Sequence, residues 1–149
     1  FAVNLKSHWM ACKHAIPIMR RQGGGSIVNI SSLAVLEAYP YLGYKTMKTA
    51  IIAMTQNLAM AHANDGIRVN AILPGLMNTP MAIEARVAAG MAREDLVAMR
   101  NARVPLGHRM GTAWDVAYAA LFLHSDEAQF ISGVWLPVDG AAWASQGKY

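Results

Sequence analysis

Three short apolar segments, separated by helical stretches, constrain the fold of this chain more than any other feature. They lie at residues 26–30, 67–73 and 134–138, and glycine or proline stands close to each of them. Each segment has the length of a strand, whereas the stretches between them have the period of a helix. Single apolar strands that alternate with helices indicate an α/β fold, because neighbouring parallel strands need a crossover connection. The sequence therefore predicts one α/β domain with a thin parallel sheet of three strands.

A helix is predicted on each side of the first strand. Residues 1 to about 20 carry apolar side chains at helical spacing, and the glycine run 23–25 ends this helix. That run follows a helix and precedes a strand, the reverse of the order in a phosphate-binding loop, so we interpret it as a plain turn. The second helix, over about 42–63, is apolar nearly all round. Such a helix is buried on several sides, which suggests that one face meets another subunit.

The region between the second and third strands is predicted to be helical but has weak periodicity. Residues 81–103 are rich in alanine, methionine and arginine and indicate one or two short helices broken near Gly90, as in a mobile lid. Thr112, followed three residues later by Asp115, predicts a weak capping box. The helix that it starts runs to about Leu123.

The composition excludes several classes of function. The net charge is +4, but apart from Arg20 and Arg21 the basic residues are scattered, which argues against nucleic-acid binding. The five histidines have no metal-ligand spacing, so we predict no metal. No apolar run reaches membrane-spanning length and no signal-peptide pattern occurs, so no membrane role is expected. The single cysteine, Cys12, excludes an internal disulfide and fits a reducing compartment, so we predict a cytoplasmic protein with Cys12 in its core.

The candidate chemistry lies at the start of the second helix. Tyr44 and Lys48 are four residues apart, which places a phenol and an ammonium on one helix face, one turn apart. They follow a strand that ends in Ser31 and Ser32. A free tyrosine titrates near ~10, and a cation held beside a phenol stabilises its phenolate form. The pair therefore predicts an acid–base centre, although the two residue types meet at this spacing by chance in many helices.

Six motifs in a fixed order give the chain a specific resemblance. In chain order they are Val3-Asn4-Leu5, Gly25-Ser26-Ile27-Val28-Asn29-Ile30-Ser31-Ser32, Tyr44 with Lys48, Ile67-Arg68-Val69-Asn70, Pro74-Gly75 with Thr79, and Val138-Asp139-Gly140. Over nearly its whole length the chain resembles the C-terminal two-thirds or so of a short-chain dehydrogenase/reductase. The resemblance implies a Rossmann-like, doubly wound parallel sheet, of which this chain carries the C-terminal part.

This resemblance implies an NAD(P)-dependent oxidoreductase that interconverts a secondary alcohol and a ketone by hydride transfer. The family's catalytic tetrad falls on Asn4, Ser32, Tyr44 and Lys48. Tyr44 would take or give the hydroxyl proton, and Ser32 would hold the substrate oxygen beside it. Tyr44 and Lys48 would also contact the cofactor, Lys48 at its ribose. Asn4 would hold a water molecule in a proton relay.

A second part of the resemblance concerns the cofactor, NAD or NADP. The segment that begins with Pro74 and Gly75 resembles the family segment that contacts the nicotinamide. The backbone near Met77 and the hydroxyl of Thr79 are the expected partners of the carboxamide. The family's glycine-rich cofactor loop, and the residue that discriminates NAD from NADP, are expected upstream of Phe1. We therefore expect that the 149-residue chain alone neither folds stably nor binds dinucleotide.

The tyrosine–lysine pair has an alternative in the sequence. Tyr41 and Lys45 have the same spacing, one turn earlier. In the family an apolar run and a threonine follow the lysine, and the run up to Thr55 is in phase only with Lys48. The register therefore favours Tyr44 as the catalytic tyrosine.

The serine has an alternative as well. The gap between Ser32 and Tyr44 is one residue shorter than is usual in the family, so counting back from Tyr44 favours Ser31. Counting forward from Asn4 favours Ser32, which also ends the strand motif in the usual place. A one-residue deletion in the loop 33–43 reconciles the two counts, and we take Ser32.

Two rival functions and several partners complete the prediction. A dinucleotide-free relative, such as a halohydrin dehalogenase, carries arginine in place of the lysine, and Lys48 argues against it. A non-catalytic binding or scaffold protein usually has a broken tetrad, whereas all four members are assigned. The family implies a homotetramer or homodimer, with the tail 141–149 at an interface. The substrate is expected to be a small alcohol or ketone in an apolar pocket. The methionines are interpreted mainly as core filler, and the alternative interpretation places four of them in the pocket lining: Met77, Met81, Met91 and Met99.

Overall fold

The computed structural model describes residues 1–145, which form helices packed on a three-stranded sheet. The strands are β1 (Gly25–Ile30), β2 (Ile67–Pro74) and β3 (Trp135–Val138). The helices are α1 (Ser7–Arg21), α2 (Leu42–His62), α3 (Pro80–Ala88), α4 (Arg93–Ala102) and α5 (Ala113–His124). A π-helical turn, Ala2–Lys6, precedes α1, and 3-10 turns lie at Leu33–Val35, Ala63–Asp65 and Asp126–Ala128. The predicted order of strands and helices is confirmed.

The strands are parallel in the order β1–β2–β3, so the predicted fold class is confirmed. In register, Ile27 lies opposite Val69 and Ile72 lies opposite Leu136. The crossover from β1 to β2 runs through α2, and the return to β3 runs through α3, α4 and α5. Because parallel strands all end at the same edge, the residues after β1 and those after β2 meet there.

Helices cover both faces of the sheet. On one face a buried cluster joins α1, α2 and β2, and its members are Cys12, Ile16, Ala59, Ile67 and Val69. On the other face the Leu123 carbonyl of α5 accepts hydrogen bonds from Ser26 Oγ at 3.1 Å and from Arg68 Nη1 at 2.7 Å. Successive side chains of a strand point to opposite faces, so β2 contributes to both layers. Cys12 is the core side chain that was predicted, and burial raises the pKa of its thiol.

Two close backbone approaches place glycines at the ends of the sheet. Gly24 and Gly66 lie together before β1 and β2, and a Cβ on Gly24 would lie 2.9 Å from the Gly66 carbonyl oxygen. The glycine run 23–25 is therefore the predicted turn. At the opposite edge a Cβ on Gly75 would lie 2.8 Å from the Cα of Asp139, so only glycine lets the ends of β2 and β3 lie side by side. The Asp139 carboxylate accepts two backbone N–H groups of the next turn, at 3.0 and 2.9 Å.

The lid region consists of two short helices, as predicted. A buried hydrophobic cluster holds them together through Ile83, Leu96 and Met110. An ion pair of 2.7 Å between Arg93 and Glu84 joins them at the surface. Gly90, whose φ is +98°, lies between them and permits the break.

A predicted capping box and a second polar contact fix the scaffold. Thr112 and Asp115 form a reciprocal capping box at the start of α5, and the hydrogen bonds from Thr112 hold the pKa of Asp115 below its ordinary value. Asn70 joins β2 to the segment before β3, because its Nδ2 donates to the Ile131 carbonyl at 2.9 Å and its Oδ1 accepts from the Val134 N–H at 3.2 Å. Within residues 1–145 no helix is long and apolar enough to span a membrane.

Candidate active site

The carboxyl end of β1 places two serines against a cavity. Ser31 is only 3% exposed, and its Oγ donates to the Lys48 carbonyl of α2 at 2.8 Å. Ser32 Oγ instead accepts from the Ala34 N–H at 3.2 Å, and its own hydroxyl proton has no acceptor among the described residues. Because the proton of Ser31 is engaged in holding α2, these contacts favour Ser32 as the serine that binds a substrate oxygen.

Tyr44 and Lys48 lie on the face of α2 that borders the same cavity. The Nζ of Lys48 is 5.9 Å from the centroid of the Tyr44 ring and donates to the Ile30 carbonyl at 2.9 Å. Lys48 is 8% exposed, and its burial lowers the pKa of its ammonium. Two of its three N–H donors remain beyond the bond to Ile30. A cation held in this way can stabilise a phenolate and also donate to a ligand.

The alternative pair points elsewhere. Tyr41 is 62% exposed and does not line the cavity. Lys45 donates to the Glu37 carbonyl in the loop before α2. The ring of Tyr39 lies 5.6 Å from that of Tyr41 and 5.7 Å from that of Tyr44 between centroids, so it packs between the two tyrosines. This geometry supports Tyr44 with Lys48 rather than the earlier pair.

Asn4 is the predicted tetrad member that does not line the cavity. It lies in the π-helical turn Ala2–Lys6, which packs against α2. Such turns are rare and occur frequently at functional sites. One turn later lies His8, beside the backbone of Ile30, the residue whose carbonyl accepts from Lys48. Burial, and then the charge of Lys48, lower the pKa of His8. The relay role of Asn4 stays a prediction.

The segment after β2 forms another wall of the cavity. Its predicted cofactor-binding members all line the cavity: Pro74, Gly75, Met77 and Thr79. The backbone is fixed because the Asn78 N–H donates to the Gly111 carbonyl at 2.7 Å and the Gly111 N–H donates to the Leu76 carbonyl at 3.0 Å. The Met77 N–H and the Thr79 hydroxyl bind no other described residue. Both groups can therefore hydrogen-bond a ligand.

One cavity of about 950 Å³ joins these walls to the lid. Except for Asn4, all predicted site residues line it: Ser32, Tyr44, Lys48, Pro74, Gly75, Met77 and Thr79. Of the four pocket methionines, Met77 and Met81 line the cavity, whereas Met91 and Met99 lie outside it at the surface. The volume is in the range of a site for a small molecule or cofactor.

The sequence prediction of an apolar pocket is incomplete. The lid side of the cavity carries Arg86, Arg100 and Arg103, with His108 nearby in the same lining. The prediction missed these residues because the lid's weak periodicity gives no way to tell which side chains point inward. The signal that was present is the arginine-rich composition of 81–103.

Among residues 1–145 no group of three or more His, Cys, Asp or Glu side chains converges as a metal site would require.

A second groove, of about 690 Å³ and mostly apolar, runs between α1 and α2, and Trp9, Ile16, Ala53 and Leu58 are among its lining residues. The side of α2 that lines this groove is not covered by other described residues, which agrees with the apolar composition of that helix. Of the predicted interface tail, 141–145 is a turn and 146–149 lie outside the described residues.

Comparison with known proteins places the chain among dehydrogenases. A family model described as enoyl-(acyl carrier protein) reductase matches residues 1–141. The 2,5-dichloro-2,5-cyclohexadiene-1,4-diol dehydrogenase LinX of Sphingobium indicum is 41% identical over 142 residues, which cover 93% of this chain and 53% of that protein. The chain spans about half the length of the relatives that it matches.

Solved structures share the same architecture. The aldohexose dehydrogenase of Thermoplasma acidophilum matches with a TM-score of 0.91 and 34% identity over 99% of this chain and 59% of that one. ElxO with NADP bound matches with a TM-score of 0.83 and 30% identity over 96% of this chain and 56% of that one. With a family model that matches nearly its full length and a parallel sheet of the corresponding topology, the chain belongs to the short-chain dehydrogenase/reductase family.

Proposed function

We propose that this chain is the C-terminal, catalytic part of a single-domain NAD(P)-dependent oxidoreductase that interconverts a secondary alcohol and a ketone. One observation carries the proposal. Ser32, Tyr44 and Lys48, from the end of β1 and the start of α2, line one cavity together with Thr79 from the segment after β2. In α/β folds of this kind, ligands bind outside the carboxyl ends of the strands, where these side chains lie.

The residues of the cavity wall fit a nicotinamide cofactor. Lys48 keeps two N–H donors for a ribose hydroxyl, and the Thr79 hydroxyl and Met77 N–H have no partner among the described residues. The bound cofactor would supply hydride acceptance and donation. ElxO, a family member of the same fold, binds NADP, and the dehydrogenase relatives agree with this class of cofactor.

Tyr44 moves the proton in this mechanism. In the oxidation direction its phenolate oxygen takes the hydroxyl proton of the alcohol as the carbinol hydrogen leaves as hydride. In the reduction direction its phenol gives that proton to the oxygen of the new alcohol. The Lys48 ammonium stabilises the phenolate, and the Ser32 hydroxyl donates to the substrate oxygen and holds it at Tyr44. A relay through Asn4 completes the proposed tetrad.

A homo-oligomer is the second part of the proposal. The groove between α1 and α2 exposes Trp9 and other apolar side chains on helices that otherwise form the core. A second copy of the protein would bury this surface, as the apolar character of α2 suggests. The tetrameric or dimeric state and the cytoplasmic location stay predictions.

The test is cofactor-dependent turnover by the full-length enzyme. Secondary alcohols are offered with NAD and with NADP, ketones are offered with the reduced cofactors, and the reduced-nicotinamide absorbance band is followed. We expect a change that requires both cofactor and substrate. If the correctly folded enzyme shows no absorbance change with any pair of cofactor and substrate, a rival function becomes the better account. The rivals are a dinucleotide-free lyase and a scaffold protein.

A further inference from the structure

Three arginines on the lid side of the cavity have no role in the proposed mechanism. Arg86 lies near the end of α3, Arg100 lies near the end of α4, and Arg103 follows α4 directly. All three line the cavity that contains Tyr44, and we refer to them as the arginine cluster. We propose that the cluster binds an anionic group of the substrate, so that the alcohol or ketone carries a carboxylate, sulfonate or phosphate. This inference rests on the proposed oxidoreductase function.

Arg100 is the anchor of the cluster. It is 8% exposed, which is rare for an arginine without a charged partner. Its Nε contacts the Met110 sulfur at 3.1 Å and its Nη2 donates to the Met77 carbonyl at 3.4 Å. Its Nη1 has no acceptor among the described residues, and every fully buried side-chain nitrogen there has one. Nη1 is therefore not fully buried, and because Arg100 lines the cavity this nitrogen is the donor that is available to a ligand there.

The positive charge of the cluster is not neutralised within the described chain. Two other arginines form ion pairs, Arg20 with Asp65 at 2.9 Å and Arg93 with Glu84 at 2.7 Å. No described carboxylate lies within 4.0 Å of a cluster arginine, and Glu37 is the acidic residue in the described cavity lining. Burial first, and then the charges of Arg86 and Arg103, lower the pKa of Arg100. A bound anion would relieve both the desolvation and the mutual repulsion.

The positions of Arg86 and Arg100 at the C-terminal ends of helices favour their positive charges, but do not account for their presence in the cavity lining. Arg86 and Arg100 lie in the last turns of α3 and α4, where the carbonyl ends of the helices favour cations. That effect would be the same if the side chains lay outside the cavity. Both arginines line a cavity whose other wall carries Tyr44 and Lys48, and Arg86 Nη1 also donates to the Ala82 carbonyl of its own helix at 3.0 Å. A guanidinium presents paired N–H donors that match the oxygens of a carboxylate, sulfonate or phosphate, so the lid is suited to hold the anionic end of a substrate whose carbonyl is at Tyr44.

The proposal is tested with matched ketones on the full-length enzyme. The probes are methyl ketones of equal chain length that end in a carboxylate, a sulfonate, a phosphate, an uncharged amide or a methyl group. We expect kcat/KM for at least one anionic ketone to exceed that for the amide by about 10- to 100-fold, the effect of one or two charge-assisted hydrogen bonds. The double variant Arg86→Gln/Arg103→Gln, which changes the more exposed members, should reduce this ratio about tenfold through KM.

Two further variants keep the result interpretable. Arg100→Lys retains a charge and should lose less of the ratio than Arg100→Met, whereas Arg109→Gln, an exposed arginine outside the cavity lining, should keep the wild-type ratio. A ratio near one in the wild type, with turnover of neutral ketones, would overturn the substrate class and leave the oxidoreductase function standing. A rise in the KM for NAD(P) as large as the loss of the ratio would assign the cluster to cofactor phosphates instead. No turnover of any ketone would overturn the proposed function itself.

Discussion

Two parts of the cavity, its floor and its lid, are built in different ways. The floor, formed by Ser31, Ser32, Tyr44 and Lys48, lies where β1 ends against α2, and the Ser31 and Lys48 side chains bond to backbone carbonyls of the helix and the sheet. The lid, α3 and α4, consists of two short helices joined by a small cluster and a surface ion pair. Groups that move protons need fixed positions, which the floor supplies. Groups that recognise the rest of a substrate can lie on a less constrained element, where they vary without disturbing the floor.

The largest expected effect separates the chemical step from recognition. Tyr44→Phe removes the proton-transfer group from the floor and should reduce kcat of the full-length enzyme by about 10²- to 10⁴-fold with every substrate, neutral or anionic. Tyr41→Phe, an exposed tyrosine one turn earlier, should retain most of the turnover. Steady-state rates of the two variants decide between them. The reverse pattern would assign the proton-transfer role to Tyr41, and the floor residues would then have no part in the chemical step.

A smaller effect tests how tightly the ends of β2 and β3 pack beside the floor. In Gly75→Ala the new Cβ would meet the Cα of Asp139 at 2.8 Å, and a backbone atom cannot rotate away as the end of a side chain can. Overpacking of this kind should lower the free energy of unfolding by about 1–3 kcal/mol. Gly43→Ala, whose Cβ meets nothing within 4 Å in α2, should be neutral or stabilise by roughly 0.5–1 kcal/mol. Urea unfolding of the full-length enzyme measures both, and equal midpoints for the two variants would contradict a crowded joint at Gly75.

The smallest expected effect is the contribution of His8 to the pH dependence of the free energy of unfolding. Burial and Lys48 lower the pKa of His8 below its unfolded value of ~6.5. Between the folded and unfolded pKa values the unfolded chain binds more protons, so the free energy of unfolding should fall as pH drops below about 6.5 and level off below the folded pKa. His8→Asn should flatten this dependence, whereas His14→Asn, at an exposed position of α1, should leave it as in the wild type. Urea midpoints at several pH values between 7.5 and 4.5 test the difference, and parallel curves for wild type and His8→Asn would show that His8 carries none of it.

The floor could be predicted from the sequence because its position depends on local rules. Strand ends in a parallel sheet meet at one edge, and a four-residue spacing in a helix places Tyr44 and Lys48 together. The family resemblance added the register that selected Tyr44 over Tyr41, and the exposure of Tyr41 agrees with that choice. The choice between Ser31 and Ser32 needed the structure, because it depends on which hydroxyl proton is already engaged by the Lys48 carbonyl.

The lid could be predicted only as two helices broken at Gly90. Its inward arginines were not predictable, because arginine is mostly a surface residue and a position in a short helix does not distinguish a cavity from solvent. The methionines were interpreted mainly as core filler, with a pocket role as the alternative, and Met77 and Met81 line the cavity whereas Met91 and Met99 do not. Arg100 is buried through its contacts with Met77 and Met110, which are far from it in sequence. Contacts of that kind are set by tertiary packing and leave no mark on the local pattern.

The most direct test of the central claim is the pH profile of kcat/KM for alcohol oxidation in Lys48→Met. If the Lys48 ammonium stabilises the Tyr44 phenolate, its removal should move the basic-group inflection of the profile upward by roughly 1–3 pH units. Lys45→Met removes an ammonium that is not in the cavity lining and that donates to the Glu37 carbonyl, so this variant should keep the wild-type inflection. A folded Lys48→Met enzyme whose profile coincides with the wild type would contradict the assignment of Tyr44 and Lys48 as the acid–base pair.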